Sequence, residues 1–171
     1  MNSFRPCGAS IEIIGPNVPI LIDYAGSFSG YTVDATRMFV YGKLDADMVN
    51  AFDIANEIQS WVTENLKPGA ICEELYSGAL KIAEKSGLGD CFMGFPAEQA
   101  RFIGHGVGLE IDELPVLAKG VKDPLREGHV IAIEPKFLFP GKGAIGIENI
   151  WLVTSAGAEK LTGLPDEINY L

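Results

Sequence analysis

The sequence predicts an α+β domain in which two helices back a curved antiparallel sheet. Strand-like stretches with tight turns occur in the first quarter and again in the last third of the chain, and two stretches of helical periodicity lie between them. Because the strands are grouped rather than alternating with helices, neighbouring strands are expected to pair as hairpins. A chain of 171 residues is long enough to bury a substantial core, which predicts one domain over residues 1–171.

The first group of strands is predicted from short runs of β-branched and aromatic residues. Residues 10–14 and 18–24 are expected to be short buried strands separated by a Gly-Pro-Asn break. A Gly/Ser-rich turn at 26–30 precedes a third apolar run at 31–41. Residues 18–41 are therefore predicted to form a hairpin.

Two amphipathic helices are predicted next. The first begins at an Asp45 cap and ends near Leu66, before a Pro-Gly pair. Its apolar residues recur every three or four positions, which indicates a buried face: Met48, Phe52, Ala55, Ile58, Val62 and Leu66. The second helix is predicted over 71–86, with Ile71, Leu75, Ala79 and Ile82 on its buried face.

The last third of the chain predicts a second hairpin. Its arms are residues 129–139 and 145–153, and the Pro-Gly-Lys-Gly sequence at 140–143 forms the turn. Residues 87–96 are predicted to be a loop, and the tail at 155–171 closes the domain.

Composition excludes several classes of function. A net charge of −10 and a pI near 4.6 argue against nucleic acid and anionic membrane as partners, because both favour basic surfaces. No segment is apolar for long enough to span a bilayer, and the N-terminus lacks the order of a signal peptide. The three cysteines, Cys7, Cys72 and Cys91, are odd in number and lack C-x-x-C spacing, which predicts free, buried thiols and a cytoplasmic protein.

A glycine-framed histidine is the first candidate for chemistry. His105, one of two histidines, lies among Gly104, Gly106 and Gly108. These glycines leave the imidazole uncrowded, which suits a metal ion or a substrate. They are equally typical of a simple bend between strands.

Four acidic residues within apolar strand runs are the second candidate: Asp23 and Asp34 in the first hairpin, Glu134 and Glu148 in the second. Each alone is more often an outward-facing residue on a half-exposed strand. Facing inward together, they would repel and require cations. Two divalent ions and a shared hydroxide nearly balance four carboxylates, and oxygen-rich ligation with one imidazole favours Mn²⁺, Fe²⁺, Co²⁺ or Zn²⁺.

These residues resemble the ligand motifs of the pita-bread-fold metallopeptidases, a family that includes prolidase, Xaa-Pro aminopeptidase, methionine aminopeptidase and creatinase. The matching motifs, in chain order, are Asp23-Tyr24, Tyr31-Thr-Val-Asp34-Ala-Thr36-Arg37, Gly104-His105-Gly106-x-Gly108, Ile133-Glu134-Pro135 and Ile147-Glu148-Asn149. The resemblance runs from about residue 18 to the C-terminus. It implies a pita-bread catalytic domain.

The resemblance also implies a dinuclear metal site, with Mn²⁺ favoured. Asp23 would chelate one ion, Asp34 and Glu148 would bridge both, and His105 and Glu134 would hold the second. A metal-bridging hydroxide would attack the peptide carbonyl, with Glu134 as catalytic proton shuttle. The implied activity is that of an Xaa-Pro dipeptidase or aminopeptidase acting on peptide substrates.

Asp112 departs from the family pattern. Peptide-hydrolysing members have a histidine there, which helps to stabilise the developing oxyanion, whereas an ionised Asp has no hydrogen to donate. Asp112 is therefore predicted to bind a substrate ammonium group, unless it is plain surface on a turn. The alternative function is a non-catalytic module of the same fold that binds a peptide or a partner.

The chain is also short for the family. Only about twenty residues precede Asp23, so we expect a truncated catalytic domain whose N-terminal part is missing. An apolar face left uncovered predicts a homo-oligomer. His129 is predicted to be structural, and Arg37 either pairs with a ligand carboxylate or is a surface residue.

Overall fold

The computed structural model describes residues 11, 13–96 and 98–171. Within these residues the chain forms ten strands and two α-helices, and a short 3₁₀ helix at Gly89–Cys91 lies in the predicted loop. The helices are α1 (Ala46–Asn65) and α2 (Cys72–Lys85). The strands are β1 (Pro19–Phe28), β2 (Tyr31–Val40), β3 (Phe102–Gly106), β4 (Glu113–Ala118), β5 (Val130–Ile133), β6 (Lys136–Phe139), β7 (Gly143–Gly146), β8 (Asn149–Thr154), β9 (Gly157–Lys160) and β10 (Ile168–Tyr170).

The strands form three sheets, with the orders β1-β2-β10, β4-β3-β5-β8-β9 and β6-β7. All described pairs are antiparallel, as predicted, except that β10 runs parallel to β2. This exception ties the C-terminal tail to the first hairpin. The segment predicted only to close the domain therefore becomes part of a sheet.

The first hairpin is confirmed, but its turn is tighter than predicted. β1 pairs with β2 along ten residues, and Ser29 and Gly30 make a two-residue turn with positive φ of 52° and 85°. Residues 26–28, predicted to be turn, therefore lie in β1, and much of that strand is exposed rather than buried. The predicted strand at 10–14 is wrong for the described residues 11, 13 and 14, while residues 10 and 12 lie outside the described part.

Both helices occur where their periodicity predicts them. The six apolar residues predicted for the inner face of the first helix are buried. The Asp45 side chain makes no capping hydrogen bond; its carboxylate instead accepts one from Lys142 Nζ at 2.7 Å. On α2, Leu75 and Ala79 are buried, whereas Ile71 and Ile82 are only half-buried.

The second hairpin keeps one register through an interruption. Val130 to Ile133 pair with Leu152 to Asn149, and Lys136 to Phe139 continue the same register with Gly146 to Gly143. Pro135 lies at the break and has no N–H to donate, so the ladder divides there into two sheets. Glu134 and Glu148 face each other across this break.

The core lies between the helices and the inner faces of the sheets. Its largest fully buried side chains include Phe137, Met38, Ile58 and Leu117. Cys72 is a buried free thiol and Cys91 a half-buried one, while Cys7 lies outside the described residues. Among helices in the described part of the chain, none has both the length and the apolar character needed to cross a bilayer.

Candidate metal centre

The first hairpin places two of the four acids on one face. Asp23 lies directly opposite Thr36, and Asp34 lies opposite Ala25. Side chains two residues apart on a strand share a face, so Asp23 and Asp34 are diagonal neighbours. Asp34 points into the molecule and is buried, whereas Asp23 lies at the rim with its side chain 47% exposed.

The second hairpin contributes the other two acids at its interruption. The Glu148 backbone turns away from its own hairpin toward β2, where its N–H donates to the Thr36 carbonyl at 3.4 Å. The Thr36 hydroxyl donates to Glu148 Oε2 at 2.7 Å and orients that carboxylate. The Glu134 N–H donates to the Ile103 carbonyl at 2.9 Å. Both hairpins therefore meet at this point.

His105 reaches the acids from β3, where it lies opposite Ala132 of β5. The glycine-framed segment is thus a strand with irregular register rather than a simple bend. The adjacent glycines permit close backbone contact: a Cβ at Gly104 would collide with the Ala132 carbonyl oxygen, and one at Gly106 would lie 2.7 Å from the Leu114 oxygen. The imidazole is buried with its Nε2 directed at the acids.

Three of these side chains converge closely enough to share one ion. Ligand atoms of Asp34, His105 and Glu148 all lie within 4.8 Å of one another, and all three residues are buried. His105 Nε2 lies 4.0 Å from Asp34 Oδ2 and 3.5 Å from Glu134 Oε1. Two donors on one ion with bonds of about 2.0–2.2 Å can be up to roughly 4.4 Å apart, so small movements would complete the coordination. The donor set fits a divalent cation.

The tautomer of His105 also fits this role. Its Nδ1 lies 3.0 Å from the Gly106 carbonyl oxygen, which can only accept a hydrogen bond. The hydrogen of a neutral imidazole is therefore held on Nδ1, and the lone pair of Nε2 faces the acids.

A lysine that sequence reasoning missed lies among the same acids. Lys136 Nζ donates hydrogen bonds to Glu134 Oε2 at 2.7 Å, Asp23 Oδ2 at 3.0 Å and Glu148 Oε2 at 3.3 Å. Its ammonium is the only lysine or arginine group that forms ion pairs with these acids among the described residues. The sequence contains one signal for this contact. Lys136 lies two residues after Glu134 on an extended segment, and side chains two residues apart on such a segment share a face.

Burial and mutual charge shift the pKa values of the cluster. Burial raises the pKa of Glu148 to about 7, against the opposing effect of Lys136, and burial together with Asp23 raises the pKa of Asp34. Burial opposes protonation of His105, but its contact with Glu134 outweighs this and raises the pKa of His105 to about 9. Burial would raise the pKa of Glu134, yet hydrogen bonds from His105 and Lys136 lower it. The cluster thus holds protons that a divalent ion would displace.

Asp112 lies on the outer side of the histidine. Its Oδ1 is 3.4 Å from His105 Nδ1, and its side chain is 79% exposed. Both residues line a cavity of about 410 Å³ whose apolar wall consists of Phe102, Leu114 and Val116. The carboxylate therefore lies on the Nδ1 side of the imidazole, whereas the acid cluster lies on the Nε2 side.

Arg37 is buried, so the surface alternative is wrong, but among the described residues its ion pair is with Asp166 at 3.4 Å and not with a ligand carboxylate. Its guanidinium donates to the carbonyls of Thr36 and Glu148 at 2.7 and 2.8 Å and to Asn149 Oδ1 at 2.7 Å. Sequence reasoning did not single out Thr36 or Asn149 as support, although both lie in the matched motifs. His129, by contrast, is engaged locally, since its Nδ1 accepts from the Arg126 N–H at 3.2 Å.

Comparisons with known proteins identify relatives of this chain. The sequence profile of metallopeptidase family M24 matches residues 4–155. The Xaa-Pro dipeptidase of Pyrococcus furiosus is 36% identical over 149 residues, which are 87% of this chain and 41% of that protein. The structure of X-Pro aminopeptidase from Thermotoga maritima superposes with a TM-score of 0.88 at 29% identity, over 95% of this chain and 44% of that chain. The structure of prolidase from Pyrococcus horikoshii superposes with a TM-score of 0.84 at 34% identity, over 92% of this chain and 43% of that chain.

These relatives confirm the pita-bread fold predicted from the motifs. The chain spans about two fifths of the length of the curated relatives it matches. The profile match extends over most of the sequence and includes every residue of the acid and histidine cluster. The chain belongs to metallopeptidase family M24.

Proposed function

We propose that this chain carries the catalytic centre of a divalent-metal-dependent peptidase that hydrolyses Xaa-Pro bonds. Asp23, Asp34, His105, Glu134 and Glu148 are the proposed ligands of two divalent ions, with Mn²⁺ favoured by the oxygen-rich set. The names of the relatives, Xaa-Pro dipeptidase and X-Pro aminopeptidase, support the substrate class.

One observation carries the proposal: the buried convergence of Asp34, His105 and Glu148 within 4.8 Å. Burying two carboxylates beside each other is costly without compensating cations, and the Lys136 ammonium contacts Glu148 but forms no ion pair with Asp34 among the described residues. A protein that only bound a partner would gain nothing from an arrangement that destabilises its folded state. The convergence therefore favours a metal-dependent hydrolase over a module that merely retains the fold.

The residues around the cluster have separate proposed tasks. Ions bound there would supply a water of lowered pKa and would polarise the substrate carbonyl. Glu134 is the proposed proton acceptor for that water, because its lowered pKa keeps it ionised at neutral pH. It would pass the proton to the departing proline nitrogen, which has no N–H in the peptide and must be protonated to leave.

The cavity beside His105 is the proposed substrate site. Phe102, Leu114 and Val116 offer apolar surface for a proline ring or an apolar side chain. Asp112, which also lines this cavity, is the proposed partner of the substrate's ammonium group. A short peptide with a free N-terminus fits both features.

The proposal is tested by hydrolysis of an Xaa-Pro dipeptide, with an Xaa-Ala dipeptide for comparison, by the Mn²⁺-loaded chain. Glu134→Gln should lower kcat by about a hundredfold or more while the protein stays folded. Asp45→Asn is the matched control, because Asp45 pairs with Lys142 away from the cluster. A folded, Mn²⁺-loaded chain that hydrolyses neither dipeptide would contradict the proposal.

A second candidate, a non-catalytic peptide- or partner-binding module, is favoured by Asp112. Its negative charge at the cavity opposes an oxyanion that would form near His105. Saturable binding of an Xaa-Pro peptide to a metal-loaded chain that cleaves nothing would support this candidate.

Three earlier expectations remain proposals. We propose a single catalytic domain over residues 1–171, a cytoplasmic location and a homo-oligomer. The last is supported by exposed apolar side chains on one face of the first hairpin, among them Tyr24, Phe28 and Tyr31. Sedimentation of only monomers at micromolar concentration would contradict the homo-oligomer.

A further inference from the structure

We propose that Lys136 is a resident cation that competes with the divalent ion on the Asp23 side of the centre, so that the chain binds one ion tightly and a second only by displacing the ammonium. This inference rests on the proposed metal site and assigns a role to a residue outside the proposed ligand set. It concerns how many ions the chain holds and how firmly.

The position of the ammonium divides the cluster in two. Lys136 Nζ contacts Asp23, Glu134 and Glu148, and each of these distances is between 2.7 and 3.3 Å. Within the described part of the chain, Asp34 forms no hydrogen bond or ion pair with Lys136 and instead converges with His105 and Glu148. One side of the centre therefore offers a donor set for an ion, while the other already contains a positive group.

The backbone of Lys136 is fixed on both sides. Its N–H donates to Met93 Sδ at 3.3 Å, and its carbonyl accepts from the Met93 N–H at 2.8 Å. Gly146 lies opposite in the hairpin, and a Cβ there would be 2.6 Å from Lys136 Cγ. The glycine thus leaves the space through which the lysine stem reaches the acids, and the side chain is 85% buried as a result.

Charge supports the same division. Four carboxylates, one ammonium and one divalent ion leave a single net negative charge. Two ions and a shared hydroxide would leave the same balance if the lysine were absent. With the lysine present, a second ion bound to Asp23 and Glu148 would lie within a few ångströms of Nζ, where like charges repel strongly.

The test is calorimetric titration of the metal-stripped chain with Mn²⁺ at neutral pH, comparing the parent with Lys136→Met. The parent should bind one ion tightly and a second at least about tenfold more weakly, because each charge-assisted hydrogen bond to be displaced is worth about one decade or more. Lys136→Met, which keeps much of the stem, should bind two ions with the second tightened about tenfold to a hundredfold. Lys142→Met removes a surface ammonium of the same kind and should match the parent.

A second measurement avoids the metal-stripped state, in which a variant can misfold. Native mass spectrometry of protein purified in excess Mn²⁺ and exchanged into dilute buffer should retain one ion in the parent and two in Lys136→Met. Lys136→Arg keeps the positive charge and should also retain one.

The outcomes separate this inference from the proposed function. Two equally tight ions in both the parent and Lys136→Met would overturn the role of Lys136 and leave the metal site standing. A parent and a variant that each hold one ion would overturn it as well. No ion in any folded sample would overturn the proposed metal site together with this inference.

Discussion

Replacing Arg37 by methionine should destabilise the protein by about 3–5 kcal/mol, the range for breaking a buried charged network. Met keeps apolar contacts along the stem but removes the guanidinium. The hydrogen bonds lost are those to Thr36, Glu148 and Asn149 at 2.7–2.8 Å and to the Leu164 carbonyl at 3.1 Å.

The magnitude depends on which acceptors stay satisfied. Asp166 loses its ion pair with Arg37 but keeps its contact with Lys160 at 2.6 Å. Asn149 Oδ1 still accepts a hydrogen bond from the Thr162 hydroxyl at 2.6 Å. The Glu148 carbonyl loses its partner within a buried segment, which costs about 1–3 kcal/mol by itself. The loss should therefore lie nearer the lower end of the range.

Urea unfolding of the metal-stripped protein, followed by circular dichroism, measures this loss. At 171 residues, 3 kcal/mol corresponds to a fall in Tm of roughly 6–12 °C. Arg126→Met is the matched control, because Arg126 is exposed and its change should stay within about 0.5 kcal/mol. A loss below about 1 kcal/mol in Arg37→Met, at an unchanged m-value, would contradict the expectation that the buried hydrogen bonds of Arg37 stabilise the fold.

Substitutions at Gly104 and Asp112, and the pH dependence set by His105, provide further tests. Gly104→Ala should unfold at a clearly lower urea concentration than Gly163→Ala. The new methyl group would collide with the Ala132 carbonyl oxygen at position 104, whereas it would meet open space at position 163. Equal urea midpoints would contradict the close contact between the Gly104 and Ala132 backbones. In the metal-stripped protein the free energy of unfolding should fall between pH 7 and 9, by at most about 1.4 kcal/mol per pH unit. The pKa of His105 is about 9 in the folded protein and about 6.5 in the unfolded chain. Folding therefore binds a proton between these two pKa values, and the stabilisation is lost as the pH rises through 9. A flat or rising profile in that range would be inconsistent with a protonated His105. Asp112→Asn should raise the KM for a dipeptide with a free N-terminus by up to about fivefold, with little change in kcat. The KM for the N-acetylated dipeptide should stay the same. An equal effect on both substrates would argue against a contact between Asp112 and the substrate ammonium group.

Much of the fold could be predicted from the sequence because its periodicity is strong. The face of α1 from Met48 to Leu66 and both hairpins follow from local patterns of apolar residues. The predicted strand at 10–14 is wrong in its described residues, because an apolar run alone does not provide a pairing partner. The parallel pairing of β10 with β2 joins residues about 130 positions apart, and no local signal reports such contacts.

The candidate site was predictable in its ligand types but not in its electrostatics. The acids and His105 follow from motifs, whereas the ammonium of Lys136 follows only from which face its extended segment presents. The burial of Arg37 was equally open, because the sequence does not show that the tail at Leu164 and Asp166 covers it. Both missing features are contacts between distant parts of the chain.

The proposed function requires this chain to assemble a centre for divalent ions. Calorimetric titration of the metal-stripped protein with Mn²⁺ at neutral pH, alongside Asp34→Asn, measures whether this centre forms. We expect at least one ion per chain, with binding abolished or at least tenfold weaker in Asp34→Asn, because that variant loses a buried anionic ligand of the converging triad. Absence of Mn²⁺ binding by a folded parent, or equal binding by Asp34→Asn, would contradict the account.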